Sequence, residues 1–440
     1  MPRQGPKLDG AWGFCDESRT VHVESNLRPP HLVLEPPHRF DLRLRDIVAA
    51  ALSLARVEPE PALAALRAEI GPNVDAYLSV RSAWAACLQA QRDRGLWQQG
   101  DEILMSAVTI RDMARVVEAF GLVPVPIDID PQTLAPLACE LELRMTTRTR
   151  AIVVAHLFGA RVDLEPIVAF ARRHDLLLIE DAAQAFCGPE RLRAPILSDL
   201  CLYSFGPLKT CTASGGAIAI VRDPALRVLM SNIQARWPKQ SGLAFAKKLG
   251  RYGALVAAQN RHVYGLLGHL CAKRGFAIGD LVRRAVRGFP AVTDAELIAK
   301  ISLQPAAAQL QFMVYRLRNF DPHRLKVRKT MGDGLQSFIK VCAPHLVVGA
   351  QAADPTYWLF PVATSKPEGL RARLWQCDVD LSSASNVVAI GGERASRLVE
   401  NLVFIPNYPE ISEAARIAIR YALAEHGHET RGEQTNTGAP

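Results

Sequence analysis

Hydrophobic and polar positions along the chain follow two patterns in turn. Apolar residues at helical spacing run from about Leu42 to Ala55 and from Pro61 to Ile70, and then the period changes. Short apolar runs read as strands: Ala76–Val80, Glu102–Met105, Leu122–Ile127, Ala151–Ala155, Leu176–Ile179, Leu200–Ser204 and Ala217–Val221. Helical stretches at Ser82–Arg94, Arg111–Phe120 and Leu164–His174 alternate with them. A strand that is apolar at every position is buried on both faces, so the alternation predicts an α/β fold with a mostly parallel central sheet flanked by helices. Farther on, Leu310, Met313, Leu317, Phe320 and Leu325 predict one long helix over about Ala306–Ile339. A strand at Tyr357–Val362, a helix at Leu370–Leu374, a strand at Leu402–Pro406 and a helix at Ser412–His426, capped by Ser412, then predict a small C-terminal α+β domain.

Composition adds boundaries. The chain has 440 residues, 49% hydrophobic and 22% charged, a balance that buries a large core. Residues 1–40 read as an N-terminal extension without clear periodicity and 41–225 as the large domain. Residues 226–300 read as a basic amphipathic helical insertion, 301–426 as a linking helix and the small domain, and 427–440 as a polar, frayed tail. The nine cysteines are scattered and form no C-x-x-C pair, which argues against a disulfide framework and a structural metal site. With no signal pattern and no apolar run of about 18–20 residues, the expected location is the cytoplasm, at most peripheral at the inner face of the membrane.

The net charge of +8 is uneven. Between Arg227 and Gly288 there are twelve Lys or Arg and one acid, Asp280, so the rest of the chain is slightly acidic. The basic residues alternate with Leu243, Phe245, Leu249, Tyr252, Leu255 and Val256, which predicts two or three amphipathic helices. Such a block is a solvated face on packed helices, or a surface that docks on an anionic leaflet or a phosphate-bearing substrate. No nucleic-acid-binding motif accompanies it, and no nucleic-acid partner is expected.

Three places carry candidate chemistry. Glu180-Asp-Ala-Ala-Gln-Ala185 directly follows a buried strand, and a carboxylate there sits at the sheet edge where α/β proteins bind ligands. A lone Asp181 reads first as a helix cap. In Tyr203-Ser-Phe-Gly-Pro-Leu-Lys-Thr210 a lysine follows a strand, in a segment with no other charge. Burial there lowers an amine's pKa, as a Schiff-base lysine requires. Ser79-Val-Arg-Ser-Ala-Trp84 is a strand-to-helix junction whose free N–H groups suit a phosphate.

Together these motifs resemble the DegT/DnrJ/StrS family of sugar aminotransferases, of pyridoxal-phosphate (PLP) fold type I. Gly100-Asp-Glu-Ile103, Phe120-Gly-Leu-Val-Pro-Val125, Asp128-Ile-Asp-Pro131, Thr147-Arg-Thr-Arg-Ala-Ile152 and His156-Leu-Phe-Gly159 each resemble a family motif. Glu180–Ala185 is identical to one, and Ser204-Phe-Gly-Pro-Leu-Lys209 followed by Gly215-Gly216 resembles another. The resemblance implies that Lys209 forms the Schiff base with PLP and shuttles the proton, while Asp181 keeps the pyridine nitrogen protonated. It implies that Gln184 contacts the ring or its hydroxyl, and that Ser204 and the Ser82/Ala83 turn bind the phosphate. Arg81 and His156 are candidate cofactor or substrate contacts. The implied reaction transfers an amino group, from glutamate, to a nucleotide- or lipid-linked keto-sugar, in a homodimer. Alternatives are a PLP-fold scaffold or regulator without activity, and a dehydratase using the amine form of the cofactor, whose relatives carry histidine in place of the lysine. The chain departs from the family at Val80-Arg81-Ser82, where the family has S-G-T. It has Val108 and Ile110 where the family has a ring-stacking aromatic. It also lacks the family's Asn loop and N-x-R-M segment, which the basic block replaces.

Overall fold

The computed structural model describes residues 32–56, 58–275, 277–286, 293–383 and 387–436. Most of the N-terminal extension read from the sequence lies outside the described residues. Helices α1 (Leu44–Ser53) and α2 (Glu60–Ile70) lead into β1 (Val74–Tyr77) and α3 (Val80–Asp93). There follow β2 (Glu102–Ser106), β3 (Val108–Thr109), α4 (Arg111–Ala119), β4 (Val123–Ile127), α5 (Ala138–Arg144) and β5 (Thr149–Ala155). The domain continues through α6 (Glu165–Arg173), β6 (Leu177–Asp181), α7 (Pro189–Arg193), β7 (Leu200–Ser204) and β8 (Ala217–Val221).

Seven strands form one sheet in the order β1-β8-β7-β6-β5-β2-β4. The pairings from β7 to β4 are parallel, and β8 runs antiparallel between β7 and β1. Side chains alternate between the faces. Met105, Val153, Ile179 and Leu202 pack with Trp84 and Leu88 of α3, while Ile152, Val154 and Leu178 pack with Ile167 and Phe170 of α6. Both faces are therefore dry, as the apolar strands predict.

The basic stretch holds α8 (Pro224–Ala235), α9 (Gly242–Ala258), α10 (Arg261–Ala272), α11 (Ile278–Val286) and α12 (Asp294–Ile301), more helices than its periodicity indicates. Helix α9 is part of the sheet's covering layer. Its Phe245, Leu249 and Tyr252 are buried with Tyr203 and Ile218 of the sheet.

The long helix expected over Ala306–Ile339 is two: α13 (Ala307–Arg318) and α14 (Pro322–Cys342). Asp321 caps the second, accepting from the N–H groups of His323 and Arg324, and Pro322 has no N–H with which to continue the first. The small domain contains β9 (Phe360–Ala363), α15 (Pro367–Gln376), β10 (Ser382–Ser383), β11 (Val388–Ala389), α16 (Glu393–Asn401), β12 (Leu402–Ile405) and α17 (Glu413–Asn436). Strands β10-β12-β9 form an antiparallel sheet, and β11 pairs with β3 of the large domain. Tyr357 and Trp358, read as strand, instead lie in a bend with Tyr357 at φ 47°. Ser412 caps α17, its hydroxyl accepting from Ala415 N at 3.3 Å. The tail expected to fray from residue 427 is helical to Asn436. It is anchored by buried Thr430, whose hydroxyl meets His345 Nε2 at 2.8 Å. Positions 437–440 lie outside the described residues.

Candidate active site

The carboxyl ends of β5, β6 and β7 share one edge of the sheet, where doubly wound folds bind ligands. Strand β6 ends at Asp181. Strand β7 ends at Ser204 and enters the loop that carries Lys209. That loop returns to the sheet through Gly215-Gly216, whose backbone ties it to both neighbours. Gly216 N–H donates to Leu78 O at 3.0 Å, and Phe205 N–H donates to Gly216 O at 2.9 Å. The lysine loop, the carboxylate and the start of α3 thus meet at one place.

Lys209 has no hydrogen bond or ion pair among the described residues; its ammonium stands 3.7 Å from the centre of the Trp358 ring. Burial lowers its pKa to about 7; the Asp181 charge works against that and the Arg81 charge with it. Asp181 accepts from Ala183 N–H at 3.0 Å through Oδ1, and Oδ2 has no partner among the described residues. Burial raises its carboxyl above the ordinary value, against the Ala183 bond and the charges of Lys209, His156 and Arg81. Gln184 accepts from Phe158 N–H at 2.8 Å, so its amide nitrogen is the group it can offer to a ligand. Ser204 Oγ accepts from Gly206 N–H at 3.3 Å, close beside the lysine stem.

Two site expectations change. His156 is buried, and both ring nitrogens are engaged by protein. Nδ1 accepts from Val162 N–H at 2.9 Å, so Nε2 carries the proton and donates to Glu180 at 2.9 Å. It is a structural imidazole, neutral because burial lowers its pKa, with no nitrogen left for a substrate. At the start of α3, Ser79 takes both groups expected to meet phosphate. Its hydroxyl accepts from Ser82 N–H at 3.1 Å and its carbonyl accepts from Ala83 N–H at 3.1 Å. The Ser82 hydroxyl pairs with that of Ser79 at 2.9 Å, and Ser82 and Ala83 are fully buried. Among the first-turn N–H groups that a helix leaves over, those of Val80 and Arg81 come before the capped pair. The Arg81 side chain is ion-paired with Asp112.

The sequence reading misses Trp358. Gly159, at φ 96°, brings the bend that carries it close: a Cβ there would stand 2.5 Å from Trp358 N. Thr356 N–H donates to Gly159 O at 2.9 Å, and Trp358 Nε1 donates to Leu208 O at 2.7 Å. Beyond the ring lies a pocket lined by His38, Arg39, Lys209, Arg324, Arg328 and Tyr408, with an excess of positive charge. Arg328 is fixed there by bonds to Thr356 O at 2.9 Å and the Thr210 hydroxyl at 3.0 Å, and burial lowers its pKa to about 10. Among the described residues no cluster of His, Cys, Asp and Glu could hold a metal ion, and all eight described cysteines are free.

An unpaired amine near neutrality, beside a buried carboxylate with one free oxygen, can attack a carbonyl and carry a proton. Comparison with known proteins gives likenesses of sequence and of fold. Residues 66–250 match the model of the DegT/DnrJ/EryC1/StrS aminotransferase family. The chain is 38% identical over 132 residues to GDP-perosamine synthase of Caulobacter vibrioides, covering 30% of this chain and 36% of that protein. It is 37% identical over 167 residues to L-glutamine:2-deoxy-scyllo-inosose aminotransferase of Micromonospora echinospora, covering 38% and 39%. The chain thus spans little more than a third of the length of these curated relatives. In three dimensions the likeness is longer. The structure of GDP-4-keto-6-deoxy-D-mannose-3-dehydratase from E. coli superposes with a TM-score of 0.65 at 16% identity, over 89% of this chain and 100% of that one. That likeness gives the fold, the type I architecture of PLP enzymes. The likeness to the DegT/DnrJ/EryC1/StrS aminotransferase family extends over residues 66–250 of this chain.

Proposed function

We propose that this protein is a PLP-dependent aminotransferase. It would move an amino group, with glutamate as donor, onto a nucleotide- or lipid-linked keto-sugar or a related cell-envelope or secondary-metabolite ketone, and work as a homodimer. The observation that carries the reading is Lys209, an amine with no acceptor among the described residues, its pKa lowered to about 7, set between buried Asp181 and the Trp358 face.

The donor set fits the cofactor. Lys209 would hold its aldehyde. The open Oδ2 of Asp181 would face a ring N–H, and the amide nitrogen of Gln184 a ring oxygen. The start of α3 and Ser204 would face the phosphate. When bound, PLP supplies a ring that takes up electrons from the carbon next to the transferred nitrogen. The chain's own residues do the rest. Lys209, unprotonated in about half the molecules at its pKa of about 7, accepts and returns the proton. The Asp181 charge keeps the facing nitrogen protonated, and Trp358 covers the lysine against water. Arg39 and Arg328 in the adjoining pocket, where Asp41 and Glu410 already engage Arg324, suit an acceptor or donor that carries carboxylate or phosphate.

The test is the visible spectrum of the purified protein with PLP, beside Lys209→Ala. A band near about 410–430 nm, absent in the variant and converted to shorter wavelength by glutamate, is the expected outcome. A wild type without the band would overturn the reading in favour of a scaffold.

The finer location follows the basic stretch. Among the described residues no helix is long and apolar enough to cross a membrane. Leu243, Val263, Leu266 and Leu270 are exposed on α9 and α10, next to Lys247, Arg251 and Lys273. That combination suits peripheral contact with an anionic leaflet. Sedimentation with phosphatidylserine vesicles should fall steeply between low and high salt; no sedimentation at low salt would overturn it.

A further inference from the structure

Next to the lysine loop lies a group of polar atoms that the reading above leaves unused. Gly215 and Gly216 pass so close to two side chains that a Cβ on Gly215 would stand 2.3 Å from Lys248 Nζ and 2.6 Å from Gln309 Nε2. Its φ of 137° disfavours any residue but glycine, and a side chain there would also have to displace the ends of Lys248 and Gln309. Gln309 is fully buried on α13, and neither its nitrogen nor its oxygen has a hydrogen-bond partner among the described residues. The hydroxyl of Ser214, also fully buried, has none among the described residues either. Lys248 has no hydrogen bond or ion pair among the described residues, and the charges that act on it, those of Arg251 and Arg81, are both positive.

Buried polar groups without partners are rare and destabilising, so Gln309 and Ser214, with the half-buried Lys248 ammonium beside Gly215, mark a place where a ligand completes the bonding. An ammonium, an amide N–H2 and a hydroxyl with no carboxylate among them favour an anion. The position says which. Gly216 N–H bonds to Leu78 O, one residue before the Ser79 cap of α3, so the cluster adjoins the helix start whose N–H groups favour phosphate.

We propose that Lys248, with Gln309 and Ser214, binds the phosphate ester of the cofactor from within the same chain, so that α9 of the basic stretch forms one wall of the active site. The proposal rests on the PLP reading above. Burial, which lowers the Lys248 pKa to about 8, is relieved once the phosphate pairs with it.

The test compares PLP with pyridoxal, which lacks the phosphate. Their dissociation constants are measured by titration of the Lys209-dependent band in the full chain, for wild type, Lys248→Met and Lys248→Arg, with melting temperatures alongside. In Lys248→Met, PLP binding should weaken about tenfold or more while pyridoxal binding stays within about twofold, and Lys248→Arg should recover part of the loss. Inorganic phosphate should compete with PLP in the wild type and far less in Lys248→Met. Equal PLP affinity in wild type and Lys248→Met, or equal losses for PLP and pyridoxal, would overturn this assignment alone. A wild type with no Lys209-dependent band would overturn the aminotransferase reading itself. As an independent arm, Gln309→Met should weaken PLP binding and leave pyridoxal unchanged, which separates loss of the phosphate contact from loss of the fold.

Discussion

Glu180 and Asp181 are neighbours on β6, yet their side chains go to opposite faces of the sheet and meet opposite fates. Glu180 is enclosed by partners: His156 at 2.9 Å, Arg161 at 2.6 Å and the Ser198 hydroxyl at 3.2 Å. Burial alone would raise its pKa, but the bonds and charges of His156 and Arg161 outweigh it and hold the carboxyl at about 2. Asp181 has one backbone bond, and burial raises its carboxyl. One face of the strand is a closed structural network. The other is left partly unmatched, and an unmatched buried charge is what chemistry on a ligand can use.

The comparison breaks most readily by exchanging the two charges. Glu180→Gln leaves Arg161 buried beside a weaker acceptor and should cost about 3–5 kcal/mol of stability, read by urea unfolding. Because the folded pKa of Glu180 is depressed, its stabilisation is complete above about pH 4.5 and is lost as pH falls towards 2. Asp181→Asn keeps the Ala183 bond and removes a carboxylate whose ionised form burial disfavours. It should change stability by less than about 1 kcal/mol while lowering the rate of the proposed transamination on the order of 10²–10⁴-fold. Similar stability losses in both variants would erase the distinction.

A smaller effect sharpens it. Lys209 has its folded pKa lowered to about 7, so it is charged below and neutral above that pH. Its burial weighs against folding at low pH, and stability from this group grows as pH rises from about 7 towards its unfolded value near 10.4. The rate of reaction of Lys209 with an amine-modifying reagent should follow the same midpoint. Asp181→Asn removes the charge that raises the lysine pKa and should move the midpoint down. Arg81→Met removes a charge that lowers it and should move the midpoint up. Identical midpoints in all three proteins would mean that burial alone sets the amine.

Much of this was legible in the chain. Apolar strands between helices gave the parallel sheet, since a strand buried on both faces has no polar positions. The ordered motifs placed Asp181 and Lys209 at strand ends. The break between α13 and α14 was locally written in Asp321-Pro322, but helical spacing on either side masked it. The continuation of α17 past residue 427 was not legible, because a polar helix held by Thr430 and His345 has no apolar stripe to read.

By itself the sequence determined the layers, the alternation of strands and helices and the residue types at the strands' carboxyl ends. Those depend on the local alternation of apolar and polar positions and on short motifs. Tertiary structure decided which groups those residues face. Trp358 reaches Lys209 only because Gly159 admits the bend of the small domain, and Lys248 reaches Gly215 only because α9 packs its apolar face on the sheet. His156 and Ser82, expected at the site, were taken up by Glu180 and Ser79 instead. Burial and partner choice are properties of packed neighbours far apart in the chain, and no local pattern encodes them.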